Sequence, residues 1–228
     1  MARGTPADVA HDRRRERYVL GMTIEIVSAG AAIGAENRNV DLSRPLDETT
    51  FEQIEWAFDT YGALIIRDQQ ITPEQQVAFS SRFGECARNH NGADFGIAGN
   101  PEIYLNSNIT ENGRPIGTPR AGDRWHTDMC YAKTPARATM LYAVEVPTLH
   151  GLALGDTEFA NAATAWEALS EETQSKIEGR KATFDFRGQK RGRPINEKTI
   201  AQYPPVEHPI VRTHPRTGRK GLYVMRDD

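Results

Sequence analysis

The 228 residues predict an α+β fold with a mainly β core. Apolar runs are short and bounded by Gly, Pro, Asn or Asp, as strands are, while helical periodicity is confined to three stretches. The chain is long enough for one sizeable domain, and no internal repeat or low-complexity tract breaks it up. Short strands around a core with helices packed outside follow from these observations.

The elements can be taken in order. Residues 1–21 include Arg13-Arg14-Arg15-Glu16-Arg17 and lack any alternating or helical apolar pattern, so they read as a disordered extension ahead of a domain over 22–228. Tyr18-Val19-Leu20 is too short for the core of a secretory signal, and Met22 is a credible start of its own. A first strand is expected over 22–27. Phe51, Ile54, Ala57 and Phe58 lie at helical spacing, with Gly62 as the stop. Ala63-Leu64-Ile65-Ile66 reads as a short apolar strand. Thr72-Pro73-Glu74-Gln75 combines a Thr cap, Pro at the first helical position and a Gln placed to reach back, which starts a helix that Gly84 ends. A third helical region runs over 162–179, with Ser170 as a fresh cap before Glu171 and Glu172. Strands are expected over 102–105 and over the mostly apolar 138–144. Residues 210–213 and 221–224 flank Pro215-Arg216-Thr217-Gly218, a hairpin turn. The polar loops 85–101 and 188–205 are long enough to cover a site.

Composition narrows the function classes. A net charge of −3 argues against a nucleic-acid partner or a membrane surface, and there is no apolar run of bilayer length. Cys86 and Cys130, the only cysteines, make no disulfide framework, so a cytoplasmic setting is expected. Nucleotide-binding glycine motifs, nucleophile elbows and C-x-x-C pairs are absent from the sequence.

Chemistry is concentrated at Trp125-His126-Thr127-Asp128. An imidazole and a carboxylate two residues apart are two thirds of a facial triad, the donor set that holds Fe(II) with open positions. Trp125 and Met129-Cys130-Tyr131 would give the pair an apolar lining. A surface strand carrying His and Asp by chance is the competing reading. His208 and His214 are the alternatives for a third ligand, although each precedes Pro and suits a strand end or turn. Cys130 better suits a small buried core residue than a ligand. Thr157, in Gly155-Asp156-Thr157, either caps the following helix, as Asn161 could, or presents a hydroxyl to a carboxylate.

Six segments resemble one family in its order: AGAAIGAENRNVDLSRPL at 29–46, YGALIIRDQQITPEQQVAFSSRFGE at 61–85, SNITENGRPIG at 107–117, WHTDMCY at 125–131, GDTEFANAATAWEAL at 155–169 and HPIVRTHPRTGRKGLYV at 208–224. The chain resembles the Fe(II)/2-oxoglutarate-dependent dioxygenases typified by taurine dioxygenase and the phenoxyalkanoate-herbicide dioxygenases. The resemblance implies a double-stranded β-helix, a jelly-roll or cupin-like fold, with bracing helices. It implies Fe(II) held by His126 and Asp128, and 2-oxoglutarate as cosubstrate with Thr157 at its carboxylate. Asn89 and His90 fall near the substrate. The implied reaction hydroxylates a small organic, anionic molecule with O2, releasing succinate and CO2.

One departure accompanies the match. The family's distal iron-binding His and the Arg for the far carboxylate of 2-oxoglutarate fall beyond the segment that matches 221–224. His208, His214, Arg212, Arg216 and Arg219 match other positions. The chain therefore reads as a member lacking its C-terminal strands and inactive alone, with homo-oligomerisation as one way to supply a ligand. A non-catalytic β-helix module for binding or oligomerisation, and a hydrolase using His126, Asp128 and His208 or His214, are the other readings.

Overall fold

A computed structural model describes residues 23–88, 95–119, 122, 124–188 and 197–225. The expected extension over 1–21 lies outside them. In chain order the elements are β1 (Glu25–Ser28), β2 (Ala35–Arg38), α1 (Glu48–Tyr61), β3 (Leu64–Ile65), α2 (Pro73–Ser80), β4 (Gly96–Ile97), β5 (Asn100–Tyr104), β6 (Thr110–Glu111) and β7 (Arg114–Pro115). There follow β8 (Thr148–Leu149), β9 (Leu152–Ala153), α3 (Ala162–Glu167), α4 (Glu171–Ile177), β10 (Lys181–Phe184), α5 (Glu197–Gln202), β11 (Val206–Pro209), β12 (Val211–Thr213) and β13 (Lys220–Leu222). The mixture is α+β, as expected.

Two compact units divide the chain. The first comprises Met1–Gln70, Ala143–Glu178 and Val211–Leu222. Its sheet has the order β1-β2-β3, with β1 antiparallel and β3 parallel to β2. α1 packs on β2 and β3 and buries Phe51, Ile54 and Ala57, three of the four periodic positions of the sequence, while Phe58 is half-buried. Its start lies three residues upstream of the apolar pattern, because Asp47 caps it by accepting the Thr50 N–H. Gly62 ends it in the left-handed conformation at φ +75°. The β12–β13 hairpin turns at Gly218, φ +72°, and is held by ion pairs: Arg216 to Glu55 and Asp59, Arg219 to Glu167, and Lys220 to Glu178.

The Asp47 cap makes stability depend on pH. The Thr50 backbone N–H, then the Thr50 hydroxyl, hold the Asp47 carboxyl below its usual range. A lowered folded pKa adds stability above the unfolded value and loses it as pH falls through the folded one. The urea-midpoint gap between wild type and Asp47→Ala should therefore shrink as pH falls from about 5 to about 2. A gap that stays constant would show that the charged form contributes nothing.

The second unit comprises Ile71–Tyr142, Gly179–Ile210 and Tyr223–Asp228. Thr72 and Gln75 form the full capping box of α2, and a 3-10 turn carries the chain from Ser81 to Phe83 before Gly84. β4 pairs with β5 and β10 with β11, both antiparallel. Phe95, Ile103, Cys130, Ala132, Phe184 and Phe186 are buried.

One expected strand is absent. Over 138–144 the side chains alternate between half-buried and exposed from 138 to 143, yet no described strand pairs with the segment. Leu141 is 61% exposed and Val144 86%. An apolar run suits a strand, but a ladder requires a neighbour's N–H and C=O groups, and local sequence does not supply them.

Candidate functional site

The second unit brings His126 and Asp128 together. His126 Nδ1 lies 2.7 Å from the Arg124 carbonyl oxygen, an acceptor, so Nδ1 carries the hydrogen. That tautomer turns the Nε2 lone pair toward Asp128 Oδ1, 3.2 Å away. Asp128 Oδ2 in turn accepts a hydrogen bond of 2.7 Å from the Thr139 hydroxyl. Two acceptor atoms thus face each other, each on a side chain whose outer atom is already engaged. Either a proton or a cation belongs between them.

The spacing of 3.2 Å is compatible with a hydrogen bond and also with a cation. Neighbouring donors on an octahedron with bonds of about 2.1 Å lie about 3.0 Å apart. The contacts to the Arg124 carbonyl and the Thr139 hydroxyl are the kind that fix tautomer and orientation of metal ligands. Borderline imidazole nitrogen with carboxylate oxygen also fits Fe(II). Among the described residues, no group of three or more His, Cys, Asp or Glu side chains could hold a metal ion.

Local backbone explains how the pair is presented. Met129 adopts φ +53°, a left-handed conformation rare for a non-glycine residue, and Ala132 N–H donates to the Met129 carbonyl at 2.9 Å. The chain turns back just after Asp128 and enters the core. Cys130 is fully buried with Sγ 3.6 Å from Met225 Sδ, which fits the packing role expected of it. Tyr131 packs edge-on against Phe186 and Tyr203, at centroid distances of 4.6 and 5.1 Å.

The dry lining expected around the pair is not formed. Trp125 is 59% exposed, and the His126 and Asp128 side chains are 44% and 48% exposed. The apolar residues of the motif divide instead: Cys130 faces the core, while Trp125 stays in solvent.

The other candidates lie elsewhere. His208 is buried in the second unit, donating from Nε2 to the Ala132 carbonyl at 3.0 Å. His214 lies in the first unit, at the hairpin turn, where its Nδ1 accepts from the backbone N–H groups of Arg216 and Thr217. Thr157 is exposed in the first unit, before α3, and Asn161 rather than Thr157 caps that helix. Asn89 and His90 lie outside the described residues. Sequence reasoning missed Thr139 and the Arg124 carbonyl. A hydroxyl eleven positions away, in a segment read as an ordinary strand, carries no local signal.

No helix among the described residues is long and apolar enough to cross a membrane. Residues 25–227 match the family described as taurine catabolism dioxygenase TauD, TfdA family. The alpha-ketoglutarate-dependent 2,4-dichlorophenoxyacetate dioxygenase of Cupriavidus pinatubonensis is 32% identical over 208 residues, covering 85% of this chain and 69% of that protein. Among solved structures, a taurine dioxygenase from Burkholderia xenovorans superposes with TM-score 0.64 at 30% identity, over 88% of this chain and 62% of that one. AAD-2, solved in complex with Mn(II) and N-oxalylglycine, superposes with TM-score 0.61 at 25% identity, over 89% of this chain and 69% of that one. The chain thus spans about two thirds of these relatives. It shares their mixed α+β fold of the double-stranded β-helix class, although its described strands form separate small sheets without barrel closure. The chain belongs to the taurine catabolism dioxygenase TauD, TfdA family, and by that membership is classed with the oxidoreductases.

Proposed function

We propose that the chain carries the Fe(II)-binding segment of a 2-oxoglutarate-dependent dioxygenase that hydroxylates a small organic anion. The observation that carries this reading is His126 Nε2 facing Asp128 Oδ1 at 3.2 Å, each side chain braced from behind. In this reading His126 and Asp128 are iron ligands, and Thr157 hydrogen-bonds a carboxylate of the cosubstrate. The same reading assigns Asn89 and His90 to substrate contact. Bound iron and 2-oxoglutarate would supply O2 activation, with succinate and CO2 as by-products. The chain's own part is to orient the two ligands: the Arg124 carbonyl holds the imidazole tautomer, and Thr139 fixes the rotation of the carboxylate.

These 228 residues tested alone should bind Fe(II) weakly and turn over little. The His208 and His214 ring nitrogens described above are engaged with backbone groups, and Arg216 and Arg219 are paired with helix carboxylates. Neither a third nitrogen ligand nor a cosubstrate arginine is supplied by these side chains. Loss of a charged partner for the cosubstrate would cost about 1.5–3 kcal/mol.

Anaerobic titration with Fe(II) and 2-oxoglutarate tests both statements through the visible charge-transfer band of the chelate. A faint band that His126→Ala removes is expected. A strong band with succinate formed on adding O2 would overturn the inactivity, and a band indifferent to His126→Ala would overturn the site. A second reading, a non-catalytic binding or oligomerisation module, is favoured by exposed apolar side chains: Val144 is 86%, Leu152 72% and Phe159 57% exposed. A folded chain that ignores Fe(II) but self-associates would support it.

A further inference from the structure

We propose that His208 is a positioning residue for the His126–Asp128 pair, acting through the backbone turn that follows Asp128; this rests on the metal-site reading above. The left-handed Met129 and the Ala132 N–H bond to its carbonyl fold residues 129–132 into a tight turn. Ala132 is buried, 7% exposed, so its own carbonyl needs a partner inside the protein. The His208 imidazole supplies it, with Nε2 at 3.0 Å.

The ring is held in turn. His208 is 7% exposed and sits on β11, in register with Ala182 of β10. Phe184 and Tyr223 flank it, each with its ring centroid 5.5 Å away. A strand ladder therefore fixes the donor, and the donor fixes the backbone four residues after Asp128. Cys130 and Tyr131 anchor the same turn by their side chains, whereas His208 bonds its main chain. Replacing the ring by a hydrocarbon of similar shape would keep the aromatic packing and leave a buried carbonyl without its donor. Relief of that carbonyl requires the turn to move, and Asp128 moves with it.

The test compares wild type with His208→Phe, His208→Gln and His126→Ala. Mn(II) binding is read from loss of the free-ion electron paramagnetic resonance signal, and amide hydrogen exchange is followed over residues 124–133. His208→Phe should weaken Mn(II) binding about tenfold, in the range seen when outer partners of metal ligands are removed. It should speed exchange at the Ala132 amide while the β5 amides remain protected. His208→Gln, which retains an N–H donor, should recover most of both. Wild-type Mn(II) affinity and unchanged exchange in His208→Phe would overturn the proposal while His126→Ala still abolishes binding. Equal loss in His208→Gln and His208→Phe, with faster exchange everywhere, would reduce His208 to packing and also overturn it. Mn(II) binding absent from wild type, or insensitive to His126→Ala, would overturn the metal reading and this role with it.

Discussion

Gly117→Ala is expected to lower stability by about 2–3 kcal/mol, because the added methyl group meets backbone that cannot retreat. A Cβ at Gly117 would lie 2.7 Å from the Leu105 carbonyl oxygen, 2.8 Å from the Ser107 nitrogen and 2.9 Å from Ser107 Cβ. Those atoms belong to a hydrogen-bonded crossing. Thr118 N–H donates to Leu105 O at 2.9 Å, and Ser107 N–H to Thr118 O at 3.2 Å. Moving either segment far enough to admit the methyl would stretch both bonds. For a chain of this size the loss corresponds to a fall in Tm of about 5–10 °C. Urea denaturation gives the free energy directly, and a midpoint equal to wild type would show that the crossing yields more easily than its bonds imply. The same contact explains why the family-like segment over 107–117 closes on glycine. Backbone proximity requires it there, with no positive φ involved.

The sequence was most legible where the cause is local. Thr72, Pro73 and Gln75 lie within one turn, and their capping box forms as read. Ser170 caps α4 by accepting the Thr173 N–H, and Gly62 stops α1. His126 and Asp128 are two residues apart, so their meeting needs only a suitable bend, which Met129 follows with its left-handed turn. Legibility fails as sequence separation grows. The run over 138–144 has the composition of a buried strand, but pairing depends on a second segment, and none of the described strands provides it. Thr139 reaches Asp128 across eleven residues, and His208 reaches Ala132 across seventy-six. Neither partner could be chosen from residue types, because a threonine or histidine near a strand has many ways to be satisfied. For the same reason residue type alone leaves His208 and His214 as ligand alternatives, and only the fold brings one ring nitrogen of each against backbone groups.

Asn37→Val should stabilise the protein by about 1–2 kcal/mol, the opposite sign from most core substitutions. Asn37 is 1% exposed, and neither its Oδ1 nor its Nδ2 has a hydrogen-bond partner among the described residues. It sits on β2, the middle strand of its sheet, on the same strand face as the fully buried Ala35. Its neighbours on the other face, Glu36 and Arg38, are bonded to each other, and that bond holds the Glu36 carboxyl below its usual range. An amide that gives up water and gains no partner opposes folding, whereas a β-branched hydrocarbon suits both strand and core. Asn37→Asp sharpens the test. Burial would raise the folded carboxyl's pKa above its unfolded value of about 3.9. The penalty would then be fully present above the folded pKa and relieved as pH falls toward the unfolded one. Denaturation midpoints for the three proteins at pH 7 and near pH 4 should rank Val above Asn above Asp, with the Asp variant recovering ground at the lower pH. A less stable Asn37→Val would mean that packing around the amide outweighs its lost hydration, and the middle of this sheet would then be too tightly fitted to accept a branched side chain.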